Sequence, residues 1–388
     1  MEKSSMKVGL FSFHLEYAIS GETQSIRNLS ALLQKQGLAI TLGDSLQKTG
    51  SEIDSHKERL FFKIKNLLNI PQRVAQNAKN LDLIQLHLPS PAFSFLAERL
   101  VKLVNIPVVV FFDGVLLDQS SLSLIKHCFK DPAFFGPRML INNRYFARKK
   151  SSRANTVKAY IVAAETQKSE LISLGYAERE VHVISNLCRP MTYLDPKEFY
   201  HAHAIPDNAK LIGNLGHFFY VKGVDQLVSA LKYLPDDYYL CLAHSGLGSR
   251  EQLEASIPGE LKRRVRILGE VNVSAFMSAL SVLVMPYRAS FGTVMFPNTI
   301  LEAISLGLPV IASDFPCYRE LLGGGERGIL WERGGVYSLA REIVELCENQ
   351  SRLTSMKHSQ REYYEKRLSP KAIGEAYLKL YQSLVICR

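Results

Sequence analysis

Paired cysteines are the first thing this 388-residue sequence lacks. Its six cysteines, Cys128, Cys188, Cys241, Cys317, Cys347 and Cys387, stand far apart with no CxxC pair. That argues against a disulfide framework or a zinc site and fits a reducing compartment with buried or incidental thiols. No window approaches the ~20 apolar residues of a membrane span, and the opening MEKSSMKVGLFSF has too short an apolar run for a signal peptide. A cytoplasmic protein is the expectation. No GxGxxG follows a strand, so the nicotinamide and flavin fingerprint is missing, and there is no internal repeat or low-complexity tract. With 47% apolar and 22% charged residues the composition excludes long disorder, and the length favours two cores over one.

Acidic residues are scarce in one half. Residues 1–195 hold 25 Lys/Arg against 17 Asp/Glu, and the remainder 22 against 20, within a net charge of +10. Basic residues crowd 144-RYFARKKSSR-153 and 57-KERLFFKIK-65, where Leu60, Phe61, Ile64, Leu67 and Leu68 form an apolar stripe at helical spacing. Such a stripe is either an amphipathic helix packed on its own domain or a surface for an anionic membrane or acidic ligand. Nothing points to nucleic acid.

Short Val/Ile/Leu-rich runs alternate with stretches of helical period, the pattern of parallel sheets covered on both faces, so the fold class is α/β. Strands are expected at 7–13, 38–42, 83–87, 107–112, 159–164 and 181–184, then at 211–215, 238–243, 265–269, 282–286 and 309–313. The polar stretch 192–210, with Pro196 and Pro206 and no clear periodicity, reads as the linker. Two doubly wound, Rossmann-like domains follow, 1–195 and 205–368, with a terminal helix at 369–388 returning to the first. They would face each other across a cleft, where ligands of open α/β sheets bind.

Several loops suit an anion. Gly21 precedes a helix that Ser20 or Thr23 could cap, and a glycine there lets the backbone approach a ligand. In the second half a strand ends at Gly216, and Lys222-Gly223 precedes a helix, placing a mobile ammonium beside free N–H groups. The glycine-bearing 244-HSGLGS-249 and 268-LGEV-271 follow later strands.

This order of features resembles the retaining GT-B glycosyltransferases of family 4, also called glycosyl transferases group 1. The resemblance runs through Gly216, Lys222-Gly223, Gly246–Gly248, 268-LGEV-271, 285-MPYRAS-290, 296-FPNTILEAISLGLPVIAS-313 and Glu320. It continues more diffusely through Gly21, 85-QLHLPSP-91, 106-IPVVVFFDG-114 and 184-ISN-186. It implies metal-independent transfer, with retention, of a sugar from a nucleotide diphosphate sugar in the second domain to a glycan or lipid-linked hydroxyl acceptor in the first. No cofactor or Asp-x-Asp metal site is implied, and a peripheral place on the inner membrane face would fit the basic first domain. Oligomeric state stays open.

By the same resemblance, Lys222 neutralises the donor diphosphate and Glu302 accepts hydrogen bonds from its ribose. Gly246, Leu268, Gly269, Val271, Pro297, Asn298 and Thr299 line the donor pocket. The chain departs from the family at three places. His217 stands where an arginine is expected. Val294 stands eight positions before Glu302, where the family has the first glutamate of a pair, the one near the transferred sugar. Valine accepts no hydrogen bond, which leaves an unusual donor, a substitute such as Ser290 or Thr293 with backbone near Gly292 and Asn298, or a chain that binds without transferring. Asp113-Gly114 stands in the loop where the family often has a reaction-centre histidine. Asp113 is the candidate there for acid–base or electrostatic work, with His87 and His14 as alternatives. Rival readings are a nucleotide-sugar epimerase, a phosphorylase, for which no pyridoxal lysine is identifiable, and a non-catalytic relative.

Overall fold

The computed structural model describes residues 5–12, 21–44, 67–114, 130, 147–148, 157–290 and 294–386. His14, Ser20, Gly292, Thr293, the stretch 57–65 and all of 144–153 except Ala147 and Arg148 lie outside these. In the first domain the elements run β1 (Lys7–Ser12), α1 (Gly21–Lys35), β2 (Ala39–Asp44), α2 (Ile70–Gln76), β3 (Leu83–Leu88), α3 (Ser94–Val101), β4 (Val108–Phe112), β5 (Ala159–Val162), α4 (Glu165–Ser173) and β6 (Val181–Val183). Next come α5 (Pro196–Ala202), β7 (Lys210–Phe218), α6 (Val224–Ala230), β8 (Tyr238–Gly248), α7 (Arg250–Ser256), β9 (Val265–Leu268), α8 (Val273–Ala279) and β10 (Val282–Met285). The chain closes with α9 (Asn298–Leu306), β11 (Val310–Ser313), α10 (Pro316–Leu321), β12 (Ile329–Trp331), α11 (Val336–Glu348), α12 (Gln350–Tyr363) and α13 (Pro370–Ile386).

Two six-stranded sheets result, ordered β2-β1-β3-β4-β5-β6 and β12-β11-β10-β7-β8-β9. All the strand pairs within them are parallel. Parallel strands covered on both faces must be apolar throughout, and β4 reads VVVFF with every residue buried. Because side chains alternate, Val108, Val110 and Phe112 enter one core of the first domain while Val109 and Phe111 enter the other. Val282 and Val284 are divided from Leu283 and Met285 in the same way in the second domain. The strand order reverses between β1 and β3 in one sheet and between β7 and β10 in the other, which opens a crevice at the strand C-termini of each.

The terminal helix α13 returns to the first domain. Ile373, Tyr377, Leu380 and Tyr381 pack with Ile26, Leu29 and Leu33 of α1 over the face that carries Val109 and Phe111. Of the expected basic stripe, Leu67 packs against the first-domain core and Leu68 stays exposed.

Four local expectations are corrected. β7 and β8 run past the predicted ends: Gly216 pairs with His244 and Phe218 with Gly248 across a register shift, so these glycines lie within strands. Gly248 is needed there, since a Cβ would stand 2.5 Å from the Phe218 backbone at a φ of +95°. The stretch 192–210 contains α5, with the Asp195 side chain accepting from Lys197 N (3.0 Å) and Tyr200 Oη donating to Ala279 O (3.0 Å). Its seven residues were too few to show a period. Thr23 does not cap α1, because the helix already begins at Gly21 and Thr23 lies inside it, buried.

Candidate active site between the two sheets

Residues from the β7, β8 and β10 ends converge on the second switch point. His217 Nδ1 lies 2.7 Å from Ser245 Oγ, tying the two extended strands together. The chain then makes a turn at Tyr220–Lys222, and Gly223, at φ +67°, starts α6. Only glycine fits, since a Cβ would meet Pro286 O at 2.1 Å. This close approach brings Lys222 to the β10 loop, where its Nζ stands 4.1 Å from the Tyr287 ring centroid. Ser313 Oγ donates to Tyr287 O (2.7 Å) and holds that loop.

Two of the cations here are weakened by their surroundings. Burial pushes the Lys222 ammonium down to about 7. Burial, reinforced by Lys222 and His244, pushes His217 down to about 4. The neighbouring Arg288 is already committed: it forms a bidentate pair with Asp225 at 2.7 Å for each bond and lies over Tyr220. An anion placed beside His217 and Lys222 would act against both shifts through its charge, so the cluster gains charge as a ligand arrives.

Pro297 precedes α9 as its N-cap and Asn298 is its first residue, as expected; Gly307 at φ +70° ends it. Glu302 is 1% exposed on the inner side of this helix, and its Oε1 accepts from Arg189 Nε at 2.6 Å. Burial pushes its carboxyl up, and Arg189 acts against that. Arg189, on the segment that leaves the first domain, was not anticipated from sequence. Leu268 and Val271 pack against the core around Phe276, while Gly269 is exposed on the turn after the edge strand β9. Thr299 is half-buried, and Gly246 sits at φ +91° with open space where a Cβ would be.

The segment leading into α9 forms a seam with the first domain. Val294 makes an antiparallel bridge with Gly114, and Met295 N donates to Asp113 O at 2.9 Å. Asn298 exchanges hydrogen bonds with Ser25 and accepts from Asn186 Nδ2 at 2.6 Å, while Asn186 also donates to Phe296 O. Further along, the Glu320 carboxylate accepts from Glu165 N, Thr166 N and Thr166 Oγ1 at 2.6–2.8 Å, capping α4 across the domains. Position 294 therefore engages the opposite domain through its main chain.

Asp113 lies beside this seam on the first-domain side. It is 7% exposed, and its Oδ2 is buried with no hydrogen-bond partner among the described residues. Burial holds its carboxyl well above the usual carboxylate range. His87 Nδ1 stands 3.6 Å from Oδ2. Gly21 opens α1 on the same domain.

Residues 209–349 match the family described as glycosyl transferases group 1. Phosphatidyl-myo-inositol mannosyltransferase of Mycobacterium leprae is 32% identical over 131 residues, 33% of this chain and 34% of the relative. The chain thus spans about a third of the length of that curated relative. Among solved structures, sucrose-phosphate synthase from Thermosynechococcus elongatus superposes with a TM-score of 0.74 at 18% identity, covering 99% of this chain and 100% of that one. Anabaena HepE, solved in complex with UDP and glucose, has a TM-score of 0.69 at 17% identity, with 98% and 100% covered. The fold is GT-B, and within the second domain residues 209–349 are similar to the glycosyl transferases group 1.

Proposed function

We propose that the protein transfers a sugar from a nucleotide diphosphate sugar to a hydroxyl acceptor, with retention at the anomeric carbon. The observation that carries this reading is the convergence of His217, Ser245, Lys222 and Tyr287 on the β7/β10 switch point, in a domain similar to the glycosyl transferases group 1. The diphosphate would draw a proton onto Lys222 and so stabilise the charge that develops on the leaving group, without a metal or other cofactor. Glu302, paired with Arg189 through one oxygen, offers its second oxygen to the ribose hydroxyls. Asp113 faces the transferred sugar or the acceptor hydroxyl from the other domain. As a carboxyl favouring its neutral form it suits hydrogen-bond donation and proton exchange better than fixed negative charge. Closure along the Val294–Gly114 bridge would exclude water from the reacting atoms.

The acceptor class follows from charge. The first half carries the basic excess, which suits a lipid-linked or anionic glycan acceptor and peripheral contact with an anionic membrane. No helix among the described residues is long and apolar enough to cross a membrane. The similarity to an enzyme named for phosphatidyl-myo-inositol, and to HepE crystallised with UDP and glucose, supports a hexose donor and an envelope acceptor.

The test is turnover. Purified protein is incubated with a panel of nucleotide sugars, with and without membrane lipid extract, and free nucleotide diphosphate is measured. Release that depends on one donor and rises with extract is expected. Tight donor binding with no release from any donor would instead favour a non-catalytic relative, the reading that the absent carboxylate at Val294 supports.

A further inference from the structure

The face of the first sheet covered by α13 carries polar residues where a parallel strand should be apolar. Leu83, Gln85 and His87 alternate along β3, and Val109, Phe111 and Asp113 continue along β4 and just past it, in register: Gln85 lies beside Val109 and His87 beside Phe111. Alternation puts all six on one face. Gln85 is 0% exposed and His87 3%, a placement that costs free energy unless their hydrogen bonds are made.

The bonds run in one direction. Tyr381 Oη, fully buried on α13, donates to Gln85 Oε1 at 2.6 Å. Tyr377, one turn earlier and also buried, packs against Tyr381 with ring centroids 5.6 Å apart. With the amide oxygen so occupied, the Gln85 nitrogen is turned to His87 Nε2 at 2.8 Å. A neutral imidazole that accepts at Nε2 carries its proton on Nδ1. That nitrogen points at Asp113 Oδ2, 3.6 Å away, the buried oxygen without a hydrogen-bond partner among the described residues. Phe111, stacked on the imidazole at 5.0 Å, fixes the ring plane.

We infer that Tyr381, Gln85 and His87 are positioning residues, a buried hydrogen-bonded chain that presents a single His87 tautomer, N–H toward Oδ2, to Asp113. The terminal helix is thereby part of the site, although Tyr381 lies 268 positions beyond Asp113 in sequence. His87 Nδ1–H closes on Oδ2 when ligand fills the cleft and leaves the other carboxyl oxygen of Asp113 for a substrate hydroxyl. The kinetic part of this inference rests on the transferase reading; the tautomer does not.

Two measurements on the full chain test it. In spectra of protein labelled with ¹⁵N-histidine, with the His87 signal assigned by its loss in His87→Asn, His87 is expected as neutral imidazole protonated on Nδ1. The double variant Tyr377→Phe/Tyr381→Phe should convert it to a mixture of tautomers. A wild-type proton on Nε2, or no change in the double variant, overturns the chain whatever the protein's activity. In turnover, His87→Phe should lower kcat about 100-fold and Tyr381→Phe about 10-fold at unchanged donor KM. His87→Asn, whose amide N–H stands near the place of Nδ1–H, should stay within roughly 5-fold of wild type. Equal losses in folded His87→Asn and His87→Phe would reduce His87 to packing and sink the inference.

Discussion

The two walls of the cleft solve recognition differently. On the second-domain wall the groups that would meet a diphosphate come from adjacent strand ends and loops of one sheet: Lys222 against Tyr287, His217 against Ser245. On the first-domain wall the key carboxyl, Asp113, depends on β3 and on a helix from the far end of the chain. A diphosphate is a generic, highly charged target that a few loop residues and backbone N–H groups can satisfy. A sugar or acceptor hydroxyl is neutral and demands an oriented donor or acceptor, which takes a braced side chain.

If that contrast holds, the largest single effect should come from the charged wall. Lys222→Ala should weaken nucleotide-sugar affinity by about 100-fold, from losing a charge-assisted contact of ~2–3 kcal/mol, as read by calorimetry with the donor that the turnover panel identifies. His87→Phe should leave the same affinity near wild type. Comparable losses in both would erase the division between walls.

The next effect is a pH dependence confined to the charged wall. Lys222 has a pKa of about 7 when the site is empty, and a bound diphosphate raises it. Binding is then strongest below about pH 7, where the ammonium is already formed. It weakens as pH rises, by up to ~10-fold per unit, until the bound-state pKa is passed. His217, at about 4, is neutral throughout this range in the empty site. A nucleotide sugar is the right probe because its diphosphate has no ionisation near neutrality. Affinity that stays flat from pH 6.5 to 8.5, or a slope that survives in Lys222→Ala, would show that Lys222 is not the group that takes up the proton.

The same contrast explains what could be read from sequence. Among the described residues, eleven of the twelve strands follow from short apolar runs, because burial on both faces leaves a strand little freedom to be polar; the edge strand β12 was missed. The donor loops were legible through glycines whose need is local, as at Gly223, though Gly216 reads from sequence as a strand end and Gly246 and Gly248 as a turn after a strand, when all three belong to β7 and β8. The polar chain was half visible: Gln85 stood out only as part of a strand end and His87 as an alternative to Asp113, whereas a period-two reading of LIQLHL puts both on one buried face. Tyr381 could not have been paired with Gln85 from sequence, nor Arg189 with Glu302 across 113 positions, since no local pattern encodes a contact between segments so far apart in the chain. Val294 read as a missing carboxylate; its bridge to Gly114 adds a seam role that spacing alone would not show.

That seam offers the smallest effect and a direct check on how the walls are held together. Glu320 sends its carboxylate across to the start of α4, where three hydrogen bonds and the helix dipole receive it. Unlike a helix's own N-cap, this cap is supplied by the other domain, so removing it should loosen the domains with little harm to either sheet. Glu320→Ala is expected to cost about 1 kcal/mol, the usual value of a capping side chain. Small-angle scattering should show a slightly larger radius of gyration for the unliganded variant and recovery of the wild-type value at saturating nucleotide sugar. A variant whose radius matches wild type without ligand, at a lower thermal midpoint, would mean that the cap stabilises α4 alone and that the seam at Val294, Asn298 and Arg189 suffices to keep the walls facing each other.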